Sequence, residues 1–336
     1  MPEPSRHDCT YDVLAVGNAI VDILAGADEA FLDAQGLHKG AMALVDAERS
    51  AALYEAMGPG VEISGGSAAN TVVGVASFGG RDAFIGRVRD DQLGEVFGHD
   101  LRAAGVHYAV PAGTLGPPTA RCLILFTPDG QRTMNTFLGA SGLLAPADVD
   151  TDLVASAAVT YCEGYLWDAP DAKAAMAKAM DAARSAGRTV AFTLSDGFCV
   201  DRHRDEFLAL LAERVDVLFA NETEICSLYE VDDFAAALAE VRRADLVACL
   251  TRSEMGSVVV AADAEHHVDA HPVDAVVDTT GAGDLYAAGF LHGWTTGRDL
   301  ATCGRLGSLA AAEIISHVGA RPATVLADLA ATELAG

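Results

Sequence analysis

Asp278-Thr279-Thr280-Gly281-Ala282-Gly283-Asp284 is the stretch on which the reading of this chain turns. The mostly apolar run Val273–Val277 precedes it, and Leu285–Trp294 carries a helical pattern after it. A glycine-rich turn that opens a helix leaves backbone N–H groups unpaired and presents the positive end of the helix dipole. That combination holds negative charge developing on a phosphoryl group, with Gly281, Ala282 and Gly283 as the cradle. Asp284 follows at once, a carboxylate fixed at the helix start, where it suits a general base that takes the proton of an attacking alcohol. A plainer account stands beside this one: Asp284 caps the helix and the glycines only turn the chain.

A second glycine motif, Gly65-Gly66-Ser67-Ala68-Ala69-Asn70, lies early in the sequence. Paired glycines let the backbone approach a ligand closely, and Asn70, at the start of a helical stretch running from Thr71 to Phe78, offers both a donor and an acceptor. Together the two motifs resemble the signatures of the ribokinase-like (PfkB) family of sugar and nucleoside kinases. The likeness runs from Val13 to about Pro322. Three segments look closer to the adenosine kinases of that family: Gly17 to Ile23, Leu194 to Phe198, and Val215 to Glu224.

The rest of the chain fits an α/β protein. Tyr11–Val16, Val159–Cys162, Thr189–Leu194, Val215–Ala220 and Leu246–Thr251 are short, nearly continuous apolar runs, as buried parallel strands require. Helical stretches fall at Asp171–Ala186, Asp205–Glu213, Asp233–Arg243 and Cys303–Ser316. This alternation predicts a doubly wound, mostly parallel sheet flanked by helices. Ala41–Val45 reads as a further strand. Thr119–Phe126 and Gln131–Phe137 flank the turn Thr127-Pro128-Asp129-Gly130 and read as a hairpin apart from that alternation. We expect one domain over residues 1–336, and the resemblance implies a small β-sheet lid built from segments of about 18–48 and 107–138. No internal repeat or long linker breaks the pattern.

The resemblance assigns roles residue by residue. Asn18 and Asp22 lie just past the first strand, where α/β sheets gather ligands. Asp22 resembles the carboxylate that receives two sugar hydroxyls, and Gly65, Gly66 and Asn70 belong to the same acceptor site. Asn221 and Glu224 resemble the pair that organises Mg²⁺ and its waters around ATP, although Asn221 would also serve as a helix cap. Thr251 and Gly256 resemble the ends of a T-x-G-x-x-G nucleotide loop, with Ser253 in place of the first glycine. Thr280 is placed on the nucleotide side. Asp278, with the loop around Gly319-Ala320-Arg321-Pro322, is implied to hold a monovalent cation such as K⁺. Arg132 could reach a phosphate across the site or remain a solvated lid arginine. Tyr165, Phe198 and Leu138 would cover the faces of a purine, or else be ordinary core residues.

Composition narrows the classes. The chain has 336 residues and a formal net charge of −26, which argues against nucleic acid and anionic membrane surfaces as partners. Apolar residues make up 51%, with no run long enough to span a bilayer. The start, Met1 to Asp12, lacks the layout of a secretory signal. Seven cysteines are scattered without C-x-x-C spacing, as suits a reducing cytoplasm. His266 and His267 lack further ligands at metal spacing and read as surface residues of a β-turn region. No G-x-G-x-x-G follows the first strand, so a dinucleotide-dependent dehydrogenase is excluded. The expectation is a kinase using ATP and Mg²⁺ on a small-molecule acceptor, with adenosine first and a ribose, fructose or sugar-acid acceptor second. A non-catalytic sensor of nucleotide or sugar is the third reading. The sequence leaves monomer and homodimer open.

Overall fold

The structure is a computed structural model that describes residues 9–261 and 264–334. Met1 to Asp8, most of the polar start, lies outside the described residues. The first half of the chain runs β1 (Tyr11–Val16), β2 (Ile20–Gly26), α1 (Glu29–Ala34), β3 (Met42–Leu44), α2 (Ala47–Ala56), β4 (Val61–Gly65) and α3 (Ser67–Ser77). It continues through β5 (Asp82–Ile85), α4 (Gln92–Ala103), β6 (His107–Tyr108), β7 (Ala120–Phe126), β8 (Arg132–Phe137), α5 (Thr151–Ala155) and β9 (Ala157–Glu163). Then come α6 (Pro170–Ser185), β10 (Thr189–Thr193), α7 (Gly197–Glu213), β11 (Val217–Asn221), α8 (Glu222–Tyr229), α9 (Phe234–Val241) and β12 (Val247–Thr251). The chain closes with β13 (Ser257–Ala261), β14 (Ala264–Val268), α10 (Ala282–Thr295), α11 (Leu300–Ile315) and α12 (Leu326–Glu333).

Nine strands form one sheet in the order β14-β13-β12-β11-β10-β9-β1-β5-β6. It is parallel from β12 to β6, and β13 and β14 add antiparallel to one edge. The central strands are buried along nearly their whole length, which is why they read as unbroken apolar runs. Strand order departs from β1 in opposite directions, to β5 on one side and β9 on the other, so a crevice opens at their carboxyl ends. Asn18 and Glu163 stand there.

Five strands form the second sheet, in the order β3-β8-β7-β2-β4. The hairpin is present: β7 and β8 pair antiparallel, and Gly130, at φ +80°, closes the turn by donating to the Thr127 carbonyl. Two boundaries differ from the expected lid segments. β4 joins this sheet from outside residues 18–48, and β6, inside 107–138, pairs with β5 in the large sheet. β2 escapes a sequence reading because it buries one face only, and β4 because only its Ser64–Gly65 end is buried; neither makes an apolar run. The two histidines also differ from expectation. His266 and His267 lie on β14, not in a turn, and His267 pairs with Glu265.

Part of the acidity is structural. Asp28, Asp46, Asp91, Asp150, Asp196, Asp233 and Asp299 each cap a helix through a side-chain oxygen. The two helices that begin at the glycine motifs do the opposite. α3 starts on Gly66 and α10 on Gly281, and neither has a side-chain cap.

Candidate active site

α3 and α10 pack with little space between them. A Cβ at Gly74 would come within 2.6 Å of Ala288 and 2.7 Å of Leu285, so the glycine sets the approach of the two helices. Their amino ends therefore meet. There Ser67 Oγ donates to Asp284 Oδ1 at 2.6 Å, and Asn70 Nδ2 donates to Asp284 Oδ2 at 2.9 Å. Asp284 does not cap its own helix, as the plainer sequence account required. It faces the other glycine-headed helix. Burial raises its pKa, and the Ser67 and Asn70 hydrogen bonds and the Arg321 charge pull it back. Asn70 Oδ1, on the same amide, is buried with no hydrogen-bond partner.

Gly281 takes φ +77°, a left-handed conformation open to glycine, and packs on Ala320. A Cβ at Gly283 would meet nothing within 4 Å. The first turn of α10 thus has no side-chain cap and is open at Gly283, while Ala282 N–H makes a long bond of 3.3 Å to the Thr279 carbonyl. Asp278 holds the turn from below. Its Oδ1 accepts from Thr280 N and Thr280 Oγ1 and pairs with Arg132 Nη1 at 2.8 Å, and its Oδ2 accepts from Gly319 N. Three of these donors fall on Oδ1 and one on Oδ2, so Oδ2 keeps a lone pair for the monovalent cation that the resemblance implies. Arg132 also donates to Thr279 Oγ1, which places this lid arginine at the edge of the anion turn.

On the lid side, a Cβ at Gly65 would sit 2.2 Å from Asp22 Oδ2, and one at Gly66 would sit 2.3 Å from the Asn18 carbonyl. The paired glycines are thus what lets β2 lie against the α3 start. Burial pushes the pKa of Asp22 up to about 7, with Arg321 opposing. Asn18 sits deeper than expected. Its Nδ2 donates to Glu163, its Oδ1 accepts from Ser141, and it is almost fully buried. It shapes the site floor through Glu163, which also accepts from Ala68 N and is pushed by burial to about 7.

Asn221 and Glu224 form a reciprocal capping box at the start of α8, so the capping account of Asn221 is realised. Glu224 is buried and its pKa is pushed to about 7. Among the described residues no group of three His, Cys, Asp or Glu could hold a metal. Glu224 is the carboxylate that the resemblance implies would act on a magnesium ion, through its waters. Thr251 ends β12, and a Cβ at Gly256 would meet the Val268 carbonyl at 2.0 Å. Ser253, standing where the motif has glycine, takes φ +52°. The loop keeps the glycine conformation without the glycine.

Tyr165 follows β9 and is tied to Ser195 twice, through its backbone N–H and through its hydroxyl. Phe198 opens α7 three residues on, 72% exposed. Leu138 is half-buried at the end of β8. Three residues without an expected role belong to the site. Ser67 lay inside the glycine motif, and Glu163 ended an apolar run, so each had a local signal. Arg321 lay in the Gly319–Pro322 loop, but its contacts had no local signal: it reaches Ser64 and Ala69, more than 250 positions away in sequence.

The sequence pattern of the pfkB family of carbohydrate kinases matches residues 53–326. The chain belongs to that family. A probable sugar kinase from Rhizobium etli, known as a crystal structure, is 50% identical, covering 97% of this chain and 99% of that one, with a TM-score of 0.91. The crystal structure of an adenosine kinase from Sinorhizobium meliloti is 54% identical over the same shares, with a TM-score of 0.90. An adenosine kinase from Saccharomyces cerevisiae is 29% identical over 335 residues, 92% of this chain and 96% of that protein. This pfkB-family chain is an ATP-dependent kinase that phosphorylates a hydroxyl group, which sets aside the sensor reading. No helix of the described residues is long and apolar enough to cross a membrane.

Proposed function

We propose that the protein is an adenosine kinase, transferring the γ-phosphoryl of ATP to the 5′-hydroxyl of adenosine to give AMP. The observation that carries the chemistry is Asp284, held by Ser67 and Asn70 beside the uncapped first turn of α10. In this reading the ribose diol lies against Asp22 and Asn70, whose unpartnered Oδ1 can accept from a hydroxyl. The 5′-hydroxyl points at Asp284, which takes its proton as the oxygen attacks. Backbone N–H groups of Gly281, Ala282 and Gly283 receive the charge on the transferring phosphoryl, with Arg132 at the edge of the turn. Thr280, Thr251 and Gly256 lie on the nucleotide side. The magnesium ion, when bound, neutralises charge on the ATP phosphates. The lid sheet excludes water, which would otherwise accept the phosphoryl. The seven free cysteines fit a reducing cytoplasm.

Support for a nucleoside comes from Tyr165, anchored on Ser195, and from Phe198, whose exposed ring can cover a purine face. The likeness to the Sinorhizobium meliloti adenosine kinase points the same way. A sugar kinase of the same family is the second reading, favoured by the comparable likeness to the probable sugar kinase of Rhizobium etli. Phosphoryl-acceptor profiling separates them, with adenosine, inosine, ribose and fructose side by side under one ADP-release assay. Adenosine is expected to give the highest kcat/KM. A preference for ribose or fructose would move the protein to the second reading.

A further inference from the structure

Arg321 stands in the loop before α12, and its partly buried guanidinium spends its donors on neutral acceptors. Nε donates to the Ser64 carbonyl at 2.8 Å, Nη2 to Ser64 Oγ at 3.0 Å, and Nη1 to the Ala69 carbonyl at 2.7 Å. Ser64 is on β4, one residue before the paired glycines, and its N–H is held in turn by Asp100 on α4. Ala69 is in the first turn of α3, next to Asn70. One planar fork thus fastens the lid strand, the glycine turn and the helix that orients Asp284. A guanidinium without a direct carboxylate partner leaves its positive charge to act on the acids around it.

Those acids come from every side. Asp284 is bonded by Ser67 and Asn70 of α3, and within electrostatic reach of it are Asp22 of β2, Tyr161 and Glu163 of β9, Tyr165 beyond it, and Glu224 of α8. Among these groups of the described residues, the cation is Arg321. Burial brings its pKa down to about 10, so it stays protonated at neutral pH.

We propose that Arg321 is a positioning residue for the transfer, tying the Gly65–Gly66 turn to the start of α3 and placing a positive charge near the carboxylates of Asp284 and Asp22. The inference rests on Asp284 as the base. It separates two duties that lysine and glutamine split: lysine keeps the charge but lacks the fork, and glutamine lacks the charge.

The test is the pH profile of kcat/KM for adenosine in wild type, Arg321→Gln and Arg321→Lys. Loss of a nearby positive charge raises a carboxyl pKa, so less of the base is ionised at a given pH. The acid limb of R321Q is therefore expected about one pH unit or more higher. R321K is expected to keep the wild-type limb while its KM for adenosine rises, because an ammonium cannot bridge the three acceptors. An unmoved limb in R321Q, or an equal shift in R321K, overturns the proposal. Where R321Q yields no folded protein, R321K decides through KM: a rise supports the clamp, and an unchanged KM overturns it. Asp284→Asn in the same assay keeps the two readings apart. An active D284N sinks the base assignment, whereas an inactive D284N with an unmoved R321Q limb sinks the role of Arg321 alone.

Discussion

Asp284→Asn is close to isosteric, and the surroundings of this carboxylate accommodate it. The amide oxygen can accept from Asn70 Nδ2, and the amide nitrogen can donate to Ser67 Oγ, since a hydroxyl accepts as readily as it donates. Both hydrogen bonds survive. The variant also removes the cost of a buried charge, because burial already pushes the Asp284 pKa upward. Stability is thus expected to hold or rise slightly. Catalysis loses its proton acceptor, a loss of about 10²- to 10⁴-fold in kcat, or about 2.7 to 5.4 kcal/mol of barrier. Acceptor binding should change little, because the ribose diol is assigned to Asp22 and Asn70. The measurement is initial-rate ADP release at saturating ATP and adenosine, paired with calorimetric titration of adenosine into the variant. A folded variant whose kcat stays within tenfold of wild type would refute the assignment of the base.

Gly65→Ala puts a methyl 2.2 Å from Asp22 Oδ2, so the carboxylate must move; adenosine KM should rise at least tenfold with ATP KM nearly constant, and equal changes in both would argue against Asp22 as an acceptor contact. Changing Tyr165 and Phe198 together to alanine should lower kcat/KM for adenosine about a hundredfold while sparing any activity on free ribose, and equal losses would return both rings to a packing role. Asp22→Asn tests linkage. The folded pKa of Asp22 is raised from 3.8 to about 7, so its favourable share of stability is full below the unfolded value and is lost as pH rises through about 7. The melting temperature of D22N minus that of wild type should therefore grow between about pH 4 and 7, and a constant gap across that window would contradict a raised Asp22 pKa. Finally, the acid limb of kcat/KM for wild type should lie above the ordinary carboxylate range of about pH 4, and a profile flat down to that pH would show Asp284 to be unperturbed.

The parts of this molecule that the sequence exposes are those whose cause is local. β1 is read at both ends as observed, and β9 to β12 to within two or three residues, because a strand buried on both faces must be apolar throughout. The glycine motifs are readable because a positive φ at Gly66 and Gly281 leaves a trace in residue type. β2 and β4 are hidden, since half-buried alternation over the seven residues of β2 and burial of only Ser64 and Gly65 in β4 carry little signal. Val273–Val277 shows that apolar content alone does not make a strand: the run joins neither sheet, and Val276 and Val277 are exposed. Within the site, Asp284 and Asn70 stand out from their motifs, but their hydrogen bond does not, because it spans 214 positions and depends on Gly74 letting two helices touch.

The charge of the site follows from the same burial. A chain with a formal charge of −26 that must receive a triphosphate would be expected to keep acids away from it, yet Asp22, Glu163, Glu224 and Asp284 all converge there. Burial resolves part of the conflict, because three of the four are pushed to about 7 and the fourth is also raised. Near neutral pH these groups carry less negative charge than their count implies. A bound triphosphate would push the pKa of each of them higher still, that of the base included. The cations near the site therefore have to act on the protein's own carboxylates as well as on the nucleotide. Arg132 and Asp278 neutralise one another at the turn. Arg321, bonded only to neutral groups, has its charge left over for Asp22, Asp100 and Asp284.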